Sequence, residues 1–339
     1  MGVSESDGDG VAERNGAAER NDADLGAIES VGVYVPRSTI SADTIGAAWD
    51  GFEARGISEK RVPAADEDSV TMAVAAVQRA LADSDHDRDE IASLAFGTTT
   101  PPLDEGEVGA TIVEILGLDA GTEVAVHTQS TRAGTRAVVD GLRAAGPAVA
   151  VAADEPRGPP ADGTDHAAGA GAVAVVLTGE GAVSVTDHAT DTEEFAGTRF
   201  RERGAETVDT YGATAYEREA YTTVVGGAVS RLQSTPEAIA PTAPDGSLPP
   251  RAVRGVDGDP AVYHLADRLG DTGAASALFG LLAAWDAGES SVAVVGYGDG
   301  ASADALAMDG ALPVSTEWPG VDRSYQEYLR QRGHLGGGD

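Results

Sequence analysis

The sequence predicts an α/β fold made of two similar halves. Short β-branched runs alternate with Ala-rich helical stretches along most of the chain, the pattern of strands buried on both faces beneath helices. The run Val149-Ala-Val-Ala-Ala-Asp154 and the run Val292-Ala-Val-Val-Gly-Tyr297 each follow an Ala-rich helix and a Gly-containing turn. No linker separates the regions that hold them.

In chain order, the first half opens with a β-branched strand at Ile28–Val35, then an Ala-rich helix at Ser69–Ser84, a strand at Ile91–Thr98 and a helix at Glu107–Leu116. It continues with a strand at Thr122–Thr128, a helix at Thr131–Ala144, and apolar strands at Ala148–Ala153 and Ala170–Leu177. The second half gives a strand near Ala182–Thr190, a helix at Thr214–Leu232, a short strand at Ala238–Pro241, helices over Pro250–Asp286 and a late buried strand at Ser291–Tyr297. The expected units are a disordered acidic tail at 1–25, halves at 26–178 and 179–316, and a C-terminal tail at 317–339 that frays from Gly333.

Among the 339 residues, 23 Lys and Arg face 56 Asp and Glu, for a formal charge of −33. Lys60 is the sole lysine. A surface that binds nucleic acid exchanges counterions for Lys and Arg, and an anionic membrane needs the same cations, so neither is an expected partner. The absence of cysteine removes disulfides, thiolate zinc sites and cysteine nucleophiles together. No apolar run reaches the roughly 20 residues that span a bilayer, and Met1–Leu25 is acidic where a signal peptide is basic and then apolar. A cytoplasmic protein is expected. Dispersed acid, a single lysine and few aromatics fit a surface kept hydrated in the cytosol of a halophile, where salt screens repulsion. An acidic face for a cationic partner is the alternative, although single-sign blocks are missing.

The fragment Thr122-Glu-Val-Ala-Val-His-Thr-Gln-Ser-Thr-Arg-Ala-Gly-Thr135 reads as a strand passing abruptly into a helix, with Thr131 where a helix N-terminus favours a developing anion. An ordinary βα turn capped by Ser130 or Thr131 explains the same residues. His127 lies four residues before Thr131 and admits either a packed strand residue or a histidine-activated hydroxyl. His86, His166, His188, His264 and His334 show no metal-ligand spacing, so no metal is expected. Gly296-Tyr-Gly-Asp-Gly300 looks like a dinucleotide turn but comes late and lacks a following phosphate-binding helix.

Taken together, Val31-Gly-Val-Tyr-Val-Pro36, Glu59-Lys-Arg-Val-Pro63, Asp66-Glu-Asp-Ser-Val-Thr-Met-Ala-Val74, Phe96-Gly-Thr-Thr-Thr100, Ala110-Thr-Ile-Val113, Thr131-Arg-Ala-Gly-Thr135, Ala152-Ala-Asp154, Asp191-Thr-Glu-Glu-Phe195, Pro244-Asp-Gly246, Gly270-Asp-Thr272 and Gly298-Asp-Gly-Ala-Ser-Ala-Asp304 resemble archaeal-type hydroxymethylglutaryl-CoA synthases in colinear order over residues 27–312. The resemblance implies a thiolase-like fold, two pseudo-repeated βαβαβ halves in a five-layer αβαβα arrangement. It also implies a cysteine that is acetylated by acetyl-CoA and then condenses with acetoacetyl-CoA. The positions matching the nucleophilic cysteine, the acid/base glutamate and the orienting histidine are Thr131, Thr99 and Thr242. Gly298, Gly300 and Asp271 match ligand-side positions, Asp299 stands where a small hydroxyl residue is usual, and Ser247 replaces a lysine.

A threonine hydroxyl is too weak an acid to serve as a nucleophile without an adjacent base, and neither Thr99 nor Thr242 exchanges a proton near neutral pH. The leading expectation is therefore a degenerate member that keeps a CoA-ester pocket and acts as a binding or structural subunit, with no cofactor beyond the CoA thioester. The alternatives are an active acyl-CoA condensing enzyme of isoprenoid biosynthesis using residues recruited elsewhere, and an unrelated small-molecule binder. From the resemblance come a homodimer formed through the central layers, and assembly with a thiolase and an OB-fold, zinc-ribbon CoA-binding protein. The pocket is expected to persist, because the three threonines are no bulkier than the residues they replace and Gly134, Gly246, Gly298 and Gly300 are kept.

Overall fold

A computed structural model describes residues 25–211 and 214–335, so the disorder expected of residues 1–25 lies, but for Leu25, outside it, as does the expected fraying beyond Leu335. The first half comprises β1 (Gly26–Tyr34), β2 (Ser38–Ser41), α1 (Ala42–Trp49), β3 (Glu59–Val62), α2 (Ser69–Ala82), β4 (Ser93–Gly97) and α3 (Val108–Leu116). It continues with β5 (Glu123–His127), α4 (Ala133–Gly141), β6 (Ala148–Asp154), α5 (Gly163–Ala167) and β7 (Gly171–Thr178). The second comprises β8 (Val183–Thr192), β9 (Arg199–Phe200), β10 (Asp209–Thr210), α6 (Thr214–Ser230), β11 (Ala238–Pro241), β12 (Ala261–Val262), α7 (Ala266–Leu269) and α8 (Ser276–Asp286). It ends with β13 (Ser291–Gly298), β14 (Ser302–Gly310), β15 (Val321–Asp322) and α9 (Tyr325–Gln331).

Strand order exposes the internal repeat. The first half runs β5-β4-β6-β7-β1 and the second β12-β11-β13-β14-β8, joined where Gly26–Ile28 of β1 pairs antiparallel with Val183–Val185 of β8. In each half the fourth strand is antiparallel to both its neighbours, while the first three strands are mutually parallel. Because side chains alternate across a strand, β6 sends Ala148, Ala150 and Ala152 to one face and Val149, Val151 and Ala153 to the other. The first face packs on α4, which lies with α8 between the two halves of the ten-stranded sheet; the second packs on α2, with α3 beside it. The sheet of the second half is covered outside by Ala220, Val224, Val225 and Ala228 of α6. Five layers result, as expected.

Over Pro250–Asp286 the expected helices shrink to α7, α8 and short 3₁₀ turns, with β12 between them. Gly255 and Gly258 adopt φ of 83° and 88°, a left-handed backbone that stops helix growth, and Pro260 follows. The 317–339 segment carries β15, which pairs with β2, and α9, whose Tyr328 is 1% exposed. No described helix is long and apolar enough to cross a membrane.

Lys60 of β3 is 1% exposed beneath α9. Burial pulls its amine down to about 7, against the upward pull of Asp165, with Arg332 adding to the depression. His166, Tyr328 and His334 are the other titratable groups around it. Between about 7 and the ordinary lysine value of 10.5 the unfolded chain keeps a proton that the native chain has released. Stability is therefore expected to rise with pH across that window, by at most about 1.4 kcal/mol per pH unit. Guanidinium unfolding at successive pH values checks this: Lys60→Met should flatten the rise, and a flat or falling wild-type profile contradicts it.

Candidate functional site

Thr99 lies just beyond β4, on a turn that wraps the carboxylate of Asp154 at the end of β6. Asp154, fully buried, accepts from the hydroxyls of Thr98, Thr99 and Thr100, from the N–H groups of Thr99 and Thr100, and from the Ala274 N–H, all at 2.7–2.9 Å. Burial pushes this carboxyl up, and the hydrogen bonds pull the other way. The carboxylate leaves room for nothing larger than glycine at 273, where φ is 52° and a Cβ would fall 2.1 Å from Asp154 Oδ2. Ala274 also presses its carbonyl on α4, 2.0 Å from where a Cβ on Gly134 would stand. Thr99 is thus tied through Asp154 to the base of the helix that follows Thr131.

Thr131 and Thr242 meet at Tyr297, near the end of β13. The Thr131 hydroxyl donates to the Tyr297 carbonyl at 2.5 Å, and the Tyr297 N–H donates to the Thr242 hydroxyl at 2.9 Å. Thr242 is 1% exposed, and its N–H extends the β11–β13 ladder to the Val295 carbonyl. The turn before α4 can approach β13 because residue 298 is glycine: a Cβ there would lie 2.1 Å from Ser130 Oγ. His127 faces Asp140 at 3.6 Å, and the Thr131 hydroxyl is committed to the Tyr297 carbonyl, so the histidine-activated hydroxyl is not formed.

Asp299 is not an open charge. Its Oδ2 accepts the N–H groups of Thr198 and Arg199 at 2.6 and 2.5 Å, and Tyr297 donates to its Oδ1 at 3.2 Å. It therefore holds the β9–β10 hairpin against the end of β13, within the second half. From that hairpin, Arg199 pairs with Asp271 at 2.7 Å and Arg201 donates to the Thr99 carbonyl at 2.7 Å.

A cavity of about 300 Å³ lies beside this hairpin, lined among others by Arg55, Thr198, Arg199, Glu217, Asp245 and Asp271. Of the positions matched to the ligand side, Asp271 lines it and Gly298 and Gly300 do not; neither do Thr99, Thr131 and Thr242. Burial, reinforced by Asp245 and Asp299, pushes the Glu217 carboxyl up. Arg55 lines the cavity, and near it burial and the like charges of Arg218, Arg254 and Arg55 pull the Arg251 guanidinium down, with Asp245 opposing. The buried Nε atoms of Arg218 and Arg251 have no hydrogen-bond partner. Motif reading misses this cluster, since its members come from the loop after α1, from α6 and from the turns after β11. Among the described residues no group of three His, Asp or Glu could hold a metal.

No protein-family model matches the chain. It is 30% identical to the hydroxymethylglutaryl-CoA synthase of Methanopyrus kandleri over 306 residues, which cover 83% of this chain and 86% of the relative. Among solved structures it resembles MvaS in complex with 3-hydroxy-3-methylglutaryl coenzyme A, with a TM-score of 0.75 at 18% identity over 91% of both chains. The 3-oxoacyl-(acyl carrier protein) synthase III FabH of Pseudomonas aeruginosa gives 0.74 at 18% identity, over 86% of this chain and 99% of that one. The two solved structures carry the thiolase-like fold, and the extent and identity of the match to the curated synthase carry the family: the chain belongs to the hydroxymethylglutaryl-CoA synthase family.

Proposed function

We propose that this chain is a non-catalytic member of its family, binding a CoA thioester as a subunit of an acyl-CoA condensing assembly. The observation that carries the reading is that each threonine at a catalytic position is bound into local structure: Thr99 to Asp154, Thr131 to the Tyr297 carbonyl, Thr242 to the Tyr297 N–H. The Thr131 hydroxyl donates to a carbonyl, which is no base, and the Asp154 carboxylate that Thr99 meets is already shared among six donors. Binding is supported by the arginine cluster. In a chain of net charge −33, a cluster of like charges, Arg55 on the cavity wall with Arg218, Arg251 and Arg254 near it and Asp245 opposing, favours a polyanion such as the phosphates of CoA.

Calorimetry with acetyl-CoA in molar KCl tests this. Binding is expected, and the double variant Arg251→Ala, Arg254→Ala should weaken it about tenfold, the size of one lost charge-assisted hydrogen bond. Absence of wild-type binding overturns the reading. A homodimer is proposed through β5, an edge strand whose Val124 is 38% exposed beside Ile115 of α3 at 52%. Sedimentation should then find a dimer that Val124→Asp dissociates; a wild-type monomer contradicts it. The thiolase and OB-fold, zinc-ribbon partners implied by the resemblance belong to the same proposal, as does the halophilic setting.

A further inference from the structure

The C-terminal helix is tied to the cavity wall through a buried polar cluster. Tyr328 of α9 donates its hydroxyl to the Asp165 carboxylate at 2.6 Å and accepts from Lys60 Nζ at 3.0 Å. The ammonium also donates to the Asp165 carbonyl and sits 4.6 Å from the centre of the Tyr328 ring. Arg332, just past the helix, donates to the Pro156 carbonyl and faces Glu155 at 3.5 Å. Lys60 and Asp165 are 1% and 0% exposed, so this is a sealed cluster.

Asp165 lies within α5, and α5 is a wall of the cavity: Asp162, Gly163, Thr164 and Ala167 line it. The next residue, His166, accepts the Glu53 N–H on Nδ1 and stacks on Phe52 with ring centres 5.2 Å apart, and Glu53 lines the same cavity. With α9 lifted away, Lys60 and Asp165 would face each other at 3.9 Å without the hydroxyl that bridges them. A buried pair that loses its hydrogen-bonding complement is strongly disfavoured, so α5 must move or water must enter.

We propose that α9 is a latch on the cavity: while Tyr328 bridges Lys60 and Asp165 the α5 wall is fixed, and release of the helix loosens that wall and the hold on the ligand. The ligand named is the CoA thioester of the proposed function; the latch itself is read without it.

Lys60, as the sole lysine, reports the latch directly. In the full chain, modification by trinitrobenzenesulfonate, mapped by peptide mass to Lys60, should be slow, and Tyr328→Phe should speed it at least tenfold while the aromatic packing stays. The same variant should raise hydrogen exchange in residues 162–168 and weaken acetyl-CoA binding. If Tyr328→Phe does not fold, Arg332→Gln gives the same three readouts. Faster Lys60 modification with wild-type exchange in residues 162–168 overturns the coupling, and unchanged modification in a folded variant overturns the latch. A wild-type chain that binds no acetyl-CoA yet shows the modification and exchange changes retains the latch and loses only the ligand.

Discussion

Asp154→Ala should unfold the protein far more readily than any single change at the three threonine positions. The carboxylate is fully buried and is the common acceptor for three hydroxyls and three backbone N–H groups. Removing it strands those donors where water does not reach, at roughly 1–3 kcal/mol for each unsatisfied group before relaxation. Some of that is offset, because the charge itself no longer has to be desolvated. A net loss of about 3–5 kcal/mol is expected. Asp154 also joins the halves: Thr98–Thr100 belong to the first, whereas Ala274 precedes α8 of the second. Chemical denaturation checks it, with Thr100→Ala as the control, expected to cost about 1 kcal/mol. A loss below 1 kcal/mol for Asp154→Ala would show that the node does not hold the halves together.

Thr131→Cys should give a chain that acetylates itself on exposure to acetyl-CoA. The residue is half-buried beside α4, so a thiol there gains from the N-terminal end of the helix. A few per cent of an ordinary thiol is already thiolate at neutral pH, whereas a threonine hydroxyl has no comparable anion. Acetyl-CoA should therefore give a slow, stoichiometric adduct at residue 131 of the variant, seen by intact mass and peptide mapping. Condensation should not follow, because Thr99 and Thr242 remain. Adding His at 242 is expected to damage folding, since that side chain is enclosed and its oxygen receives the Tyr297 N–H. A folded Thr131→Cys variant that binds acetyl-CoA and never acetylates would show that the acyl end of the ligand does not reach this turn.

Much of the sheet was legible because its strands are apolar runs of β-branched residues; β11 lies at Ala238–Pro241, the span its pattern predicts. β14 was not. Its sequence Ser-Ala-Asp-Ala-Leu-Ala-Met-Asp-Gly carries no β propensity, and pairing to β13 on one side and β8 on the other imposes the strand. α9 reads as a polar tail because its reason to dock, the Lys60–Asp165 pair, lies more than 160 residues upstream of Tyr328. At the site, the colinear motifs located Thr99, Thr131 and Thr242, but no pattern in sequence says that their hydroxyls are spent on neighbours. Asp154 belongs to the colinear motif Ala152-Ala-Asp154, but its six donors, drawn from both halves, come together only in the fold. The arginine cluster was hidden for the same reason: Arg55, Arg218 and Arg251 come from three separate segments.

The function proposed for the chain is binding without chemistry. Its most direct measurement is incubation of the wild-type chain with acetyl-CoA and acetoacetyl-CoA, following both protein mass and released CoA thiol. On that reading, saturable acetyl-CoA binding, a protein mass that does not change and no CoA release above the uncatalysed rate are expected. An acetyl group mapped to Thr131, or steady production of hydroxymethylglutaryl-CoA, would contradict it.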